Sequence, residues 1–124
     1  MGADMNQLVK ALQEAQDYDG PSVVIAYTPC TAHGIKSGMC NVQMEVKRAV
    51  EAGYWILYRY DPRKEHPMTI DSKEPKVDYI DFLEGETRFA SLRRTFPDHA
   101  DTLFAQAKDE AKRNYENYKH QEEM

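Results

Sequence analysis

Apolar residues recur along this chain with two different periods, and the switches between them predict its elements. Leu8, Ala11, Leu12 and Ala15 fall at helical spacing and make one apolar face. Asp4 stands where a helix cap belongs, with Gln7 at the reciprocal capping-box position. Asp17-Tyr18-Asp19-Gly20-Pro21 ends this helix, because Gly and Pro together mark a turn. A continuous run follows, Ser22-Val23-Val24-Ile25-Ala26-Tyr27. Its β-branched residues predict a strand buried on both faces, as in a parallel sheet. Val42, Val46, Ala49 and Val50 restore the helical period, and Gly53 sits where a left-handed C-terminal residue belongs. Tyr54-Trp55-Ile56-Leu57-Tyr58-Arg59-Tyr60 predicts a second strand, closed by Asp61-Pro62.

Residues 63–76 hold two prolines, many charges and little periodicity, and read as an extended excursion over a surface. Residues 77–96 are mostly helical, anchored by Ile80, Leu83, Phe89, Leu92 and Phe96, with Gly85 placed to break the helix in two. Pro97 suits the first position of a last helix, where Asp98 and Asp101 complement the positive end of its dipole. Ala100, Leu103, Phe104, Ala107 and Ala111 give that helix an apolar stripe, and Gln121 to Met124 are expected to fray. Helix, strand, helix, strand in order predicts an α/β architecture. Residues 1–62 form a partial α/β segment, and residues 63–124 an extended surface segment with C-terminal helices. Two strands this apolar cannot cover themselves, so neighbours are expected from elsewhere. The chain also enters helical pattern at once, which predicts that Met1 is internal to a longer polypeptide.

Composition narrows the class. The 124 residues suffice for one small domain, and 41% hydrophobic with 30% charged residues is a globular balance. A net charge of −5 gives no nucleic-acid footprint. No apolar stretch approaches the roughly 18 residues that cross a bilayer, and no basic and apolar leader opens the chain. A reducing cytoplasm is therefore expected, with no membrane partner. Two cysteines, Cys30 and Cys40, are too few for a disulfide framework and are expected as thiols or metal ligands.

Cys30 is the leading candidate for chemistry. It lies in a loop after a predicted buried strand, where open parallel sheets carry their functional groups. Pro29 fixes one backbone angle and Gly34 permits an unusual one, so the loop can hold a rigid shape. Such loops suit thiolate ligation of an iron–sulfur cluster; the competing reading is a buried structural thiol. Cys40 near a helix start, with Cys30 and His33, makes only a three-ligand set at a spacing unlike a zinc knuckle, and reads better as a filler beside the loop. His33 reads as a hydrogen-bonding prop. Tyr54, Trp55, Tyr58 and Tyr60 read as an aromatic strand packed under helices, Arg93-Arg94 as a surface pair, and Lys73-Glu74 and Glu84 to Glu86 as solvated charge. No Walker motif, dinucleotide fingerprint or catalytic-triad spacing is present.

Five stretches in order resemble the pyruvate:ferredoxin (flavodoxin) oxidoreductases, from the first residue to about Tyr118. Met1-Gly2-Ala3-Asp4-Met5-Asn6-Gln7 resembles that family's entry into a helix of its thiamine-diphosphate domain. Tyr27-Thr28-Pro29-Cys30-Thr31-Ala32-His33-Gly34 resembles its cysteine loop. Ala49-Val50-Glu51-Ala52-Gly53-Tyr54-Trp55 with Leu57-Tyr58-Arg59-Tyr60-Asp61-Pro62, then Asp71-Ser72-Lys73-Glu74-Pro75, then Arg88-Phe89-Ala90-Ser91-Leu92 are similar further on. The resemblance implies the C-terminal part of a thiamine-diphosphate-binding parallel-sheet domain, followed by a helical extension. It implies oxidative decarboxylation of pyruvate with coenzyme A, thiamine diphosphate with Mg2+, and electron transfer through clusters to ferredoxin or flavodoxin. It assigns Cys30 as the fourth thiolate on the [4Fe–4S] cluster nearest thiamine, in an enzyme that is a homodimer. The family's Gly-Asp-Gly thiamine fingerprint, its other three cluster ligands and its pyruvate-binding residues are not in this sequence, and the family has a smaller residue where Cys40 stands.

Two functional classes follow. The first is a fragment or subunit that completes the thiamine domain and is inactive alone. The second is a non-catalytic binding or structural module that keeps the family fold. A thiol-redox protein is a third, but it lacks a close Cys-x-x-Cys pair.

Overall fold

Asp4 caps the first helix, its Oδ1 accepting from the Gln7 N–H at 3.0 Å, and α1 then runs Met5–Asp17. A computed structural model describes residues 3–124. Only half of the expected capping box forms. The Gln7 side chain turns away from the cap and donates to Asp71 Oδ2 at 3.1 Å, tying α1 to the middle of the chain. Arg59 strengthens that tie, donating to both Asp71 oxygens at 2.8 and 2.9 Å and pairing with Glu14 of α1. Burial pushes the Asp71 carboxyl up, but Arg59 and Gln7 hold it below the usual carboxylate range.

The run Ser22 to Tyr27 corrects the first strand prediction. It forms no strand and is not buried on both faces: Val23 is 84% and Ile25 69% exposed. Between residues 21 and 29, no backbone–backbone hydrogen bond forms among the described residues. The β-branched residues favour extended backbone, but a strand also needs a neighbour, and none lies alongside. The second strand shortens to β1 (Tyr58–Tyr60), which pairs with β2 (Met68–Ile70) in register Tyr58 with Ile70 and Tyr60 with Met68. This sheet is antiparallel, not parallel, and β2 lies inside the stretch expected as an extended surface excursion. The described residues thus form a mixed α/β arrangement of helices and one two-stranded sheet.

A 3-10 turn at Met39–Asn41 leads into α2 (Val42–Glu51). Val46 and Ala49 are buried on it as the periodicity predicts. Gly53 closes the helix as predicted, at φ +76°. The Gly53 N–H donates to the Val50 carbonyl at 3.1 Å and the Tyr54 N–H to that of Ala49 at 2.9 Å, the paired bonds of a Schellman motif. A Cβ at Gly53 would lie 2.9 Å from Pro75 Cγ. Left-handed strain and this contact act together, so Gly53→Ala is expected to lower stability by about 2 kcal/mol. A urea midpoint unchanged from the parent would show that the turn is not needed.

The helical stretch 77–96 breaks where Gly85 predicts. α3 spans Tyr79–Gly85, α4 Thr87–Ala90 and α5 Leu92–Thr95, and Glu86 between α3 and α4 is extended at φ −87°, ψ 117°. Pro97 opens α6 (Pro97–Glu123) as expected. Its end does not fray: Glu122 Oε1 accepts from the Ile70 N–H at 2.8 Å, joining the helix end to β2. The core gathers Ala49, Ala52, Phe82, Leu83 and Phe104. Tyr54 packs its ring 4.9 Å from that of Phe82, and Tyr58 stacks on Tyr118 of α6 at 5.3 Å. The expectation of aromatics under helices holds for Tyr54 and Trp55, whereas Tyr58 and Tyr60 are 40% and 64% exposed.

Candidate functional site: the Cys30 loop

Tyr27 is where the exposed run re-enters the fold. Its ring stacks on Trp55 at 5.4 Å and tilts against Tyr54 at 5.6 Å. Pro29 is buried, and Cys30 emerges half-exposed immediately beyond it. A tight turn then forms, with the Gly34 N–H donating to the Cys30 carbonyl at 2.9 Å. Gly34 sits at φ +74°, a left-handed conformation that lets the turn close. The carbonyl of Gly34 accepts from the Thr87 N–H at 3.3 Å, and the Lys36 N–H donates to the Gly85 carbonyl at 2.9 Å. Ile35 forms an isolated bridge with Glu86. The loop is therefore pinned to the α3–α4 break.

Cys30 Sγ lies 3.1 Å from His33 Nδ1. That side chain, followed by the backbone N–H groups of His33 and Ala32, lowers the thiol to about 7. The thiolate is therefore favoured near neutral pH relative to a free cysteine, and the thiolate is the form that ligates metal. His33 thus occupies the propping position expected of it. Cys40 is exposed on the 3-10 turn, so it does not fill space beside the loop as expected.

Among the described residues, no group of three or more His, Cys, Asp or Glu side chains is arranged to hold a metal ion. The donor chemistry fits one corner of a thiolate-ligated cluster: a single sulfur, partly exposed, with the His33 ring and the backbone N–H groups of His33 and Ala32 beside it. It does not fit a site complete within these residues.

Sequence reasoning missed two residues below the loop. Glu86 is 1% exposed and not solvated, which corrects the reading of Glu84 to Glu86 as surface charge. Glu84 instead pairs with Arg93 at 2.6 Å, and Arg93 also pairs with Asp101 and lies over the Phe104 ring. Glu86 Oε1 accepts from the Tyr27 hydroxyl at 3.4 Å. Burial and the neighbouring Glu45 push the Glu86 carboxyl above the usual range. Glu45 is itself 3% exposed, its Oε2 3.5 Å from Arg48 and its Oε1 without a partner among the described residues. The signal was present in part: Glu45 is four residues before Ala49 on the apolar face of α2.

No helix among the described residues is long and apolar enough to cross a membrane. No family model matches the sequence. Among curated proteins, the chain is 51% identical over 96% of its length to a pyruvate:ferredoxin oxidoreductase of Moorella thermoacetica. It is 48% identical, again over 96%, to a pyruvate-flavodoxin oxidoreductase of Klebsiella pneumoniae. To a mitochondrial pyruvate dehydrogenase [NADP(+)] of Euglena gracilis it is 38% identical over 94%. It spans 10% of the first two relatives and 7% of the third. Along almost its whole length, the chain matches a fragment of the pyruvate:ferredoxin and pyruvate-flavodoxin oxidoreductases.

Proposed function

We propose that the chain is the part of a pyruvate:ferredoxin or pyruvate:flavodoxin oxidoreductase that completes the thiamine-diphosphate domain and supplies Cys30 as one thiolate to the proximal [4Fe–4S] cluster. The observation that carries this reading is the Cys30 loop, a single poised thiol pinned at a helix break with His33 Nδ1 3.1 Å from its sulfur. The remaining donors would come from the rest of the oxidoreductase polypeptide. When bound, the cluster accepts electrons one at a time while thiamine diphosphate with Mg2+ supplies carbanion chemistry. The residues of this chain hold and orient. Pro29 and Gly34 fix the loop, His33 and two backbone amides favour the thiolate, and the Tyr27–Trp55 stack anchors the loop's entry.

The relatives' names support a place near the pyruvate chemistry. They differ in acceptor (ferredoxin, flavodoxin or NADP+) and share pyruvate, while this segment persists in all three. In this reading the complete enzyme is a cytoplasmic homodimer that uses coenzyme A and passes electrons to ferredoxin or flavodoxin. The unpaired run Ser22 to Tyr27 is then a strand of the parallel sheet whose neighbours lie in another part of the enzyme. The cleft of about 940 Å³ between α1, this run and residues 53–62 is the space those neighbours fill.

Complementation tests the assignment. An oxidoreductase truncated before this segment is expected to lack pyruvate oxidation and to regain it when this chain is co-expressed. The chain alone is expected neither to oxidise pyruvate nor to bind thiamine diphosphate in calorimetry with Mg2+. Tight cofactor binding by the chain alone, or failure of every co-expression to restore turnover, would overturn the reading.

A further inference from the structure

We propose that Glu86 is a positioning residue for Cys30, its carboxyl tying the entry of the ligand loop to the α3–α4 break, whose flanking backbone holds the loop's far side. The inference rests on the assignment of Cys30 as a cluster ligand and names what holds it in place. At the loop's start, the Tyr27 hydroxyl donates to Glu86 Oε1 at 3.4 Å, three residues before Cys30. At its far side, Ile35 lies opposite Glu86 in a bridge made by two bonds between their neighbours, Lys36 N–H to the Gly85 carbonyl at 2.9 Å and Thr87 N–H to the Gly34 carbonyl at 3.3 Å. The Gly34 N–H in turn donates to the Cys30 carbonyl at 2.9 Å. Two hydrogen bonds in series therefore run from Thr87 to the backbone of Cys30.

The break makes this possible. Inside a helix the peptide groups of residues 85–87 would point along the axis to one another. Glu86 is extended instead: its own N–H and carbonyl still bond to Leu83 and to Phe89 and Ala90, but the Gly85 carbonyl and the Thr87 N–H face sideways to the loop. Gly85 packs closely there: Glu45 Oε1 lies 3.0 Å from where its Cβ would stand, so a larger residue needs that carboxylate to shift. Burying a carboxyl with one long hydrogen bond costs stability, and an apolar side chain of similar size would fill the space more cheaply. What a carboxyl provides and an alkyl group does not is an acceptor for Tyr27. A ligand held within a fraction of an ångström sets the distance and hydrogen bonding of its cluster, and these tune its potential.

The test compares Glu86→Ala, Glu86→Gln and Tyr27→Phe in the complete oxidoreductase, with Cys30→Ala as the reference for the cluster concerned. Iron content, low-temperature electron paramagnetic resonance, redox titration and amide exchange are read on each. Glu86→Ala is expected to keep its iron but to shift the g-values or potential of the one cluster that Cys30→Ala removes. It is also expected to speed exchange at Gly34 and Lys36 by about tenfold or more while the α6 amides stay slow. Glu86→Gln keeps an acceptor for the hydroxyl and is expected to restore both. Parent-like exchange and signature in Glu86→Ala, or Gln no better than Ala, would overturn the inference. If Glu86→Ala does not fold, Tyr27→Phe decides, since it removes only the hydroxyl: a shifted signature supports the clamp and a parent-like one refutes it. If Cys30→Ala keeps every cluster, the ligand assignment fails and with it the role of Glu86 in positioning a ligand.

Discussion

Cys30→Ala in the complete oxidoreductase is expected to abolish the cluster nearest thiamine and leave the fold standing. Three observations combine. Cys30 is half-exposed, and its loop is held by backbone bonds to the α3–α4 break and by the Tyr27–Trp55 stack, none of which uses the sulfur. Removing the thiol therefore leaves no buried cavity of the kind that costs a core its stability. A [4Fe–4S] cluster held by thiolates loses a whole ligand, so one iron opens to water and the cluster becomes labile. Loss of an outer-shell partner alone typically costs 10–100-fold, so turnover is expected to fall by roughly 100-fold or more. Pyruvate binding should persist, because no feature of this loop places it on the substrate. Cys40→Ala is expected to act as parent, its thiol being exposed on the 3-10 turn. Iron content and low-temperature electron paramagnetic resonance on both variants check the claim. A normal cluster in Cys30→Ala, or cluster loss in Cys40→Ala, would move the ligand elsewhere.

What the sequence revealed and what it hid divide along local and non-local lines. The cap at Asp4, the helix through Val46 and Ala49, the left-handed Gly53, the break at Gly85 and the start at Pro97 are local decisions, each made by a few adjacent residues, and each is found in place. The tight turn that Gly34 closes beside Cys30 and His33 was legible for the same reason. Pairing was not. Met68-Thr69-Ile70 is too short to show a period, and its register depends on Tyr58 to Tyr60, ten residues away. Val23 to Ile25 reveal a preference for extended backbone but not whether a neighbour lies beside it. Glu86 was hidden by composition, since Glu84-Gly85-Glu86 looks like a solvated run. The break rotates Glu86 inward while Glu84 stays at the surface to meet Arg93.

The unpaired run also sets the behaviour of the chain in isolation: it is expected to self-associate at concentrations on the order of 100 µM. Val23, Val24 and Ile25 are 84%, 47% and 69% exposed, and Met5, Val9 and Leu12 of α1 are 62%, 48% and 50% exposed. Backbone donors and acceptors along this run lack backbone partners among the described residues, which makes it a template for a strand from another molecule. Apolar area and an open edge therefore coincide on one segment, the combination that drives edge-to-edge pairing. Placing charge on the edge opposes such pairing directly. Val23→Lys with Ile25→Lys is thus expected to convert the associated chain to monomer without loss of helix, because neither side chain is packed in the core. Light scattering with far-ultraviolet circular dichroism reads both effects. The same two changes in the complete enzyme are expected to do the reverse of good, blocking assembly, since there the run would be a covered strand. A parent chain that stays monomeric at high concentration, or a complete enzyme indifferent to the two lysines, would mean that no neighbouring strand ever pairs with residues 22–27.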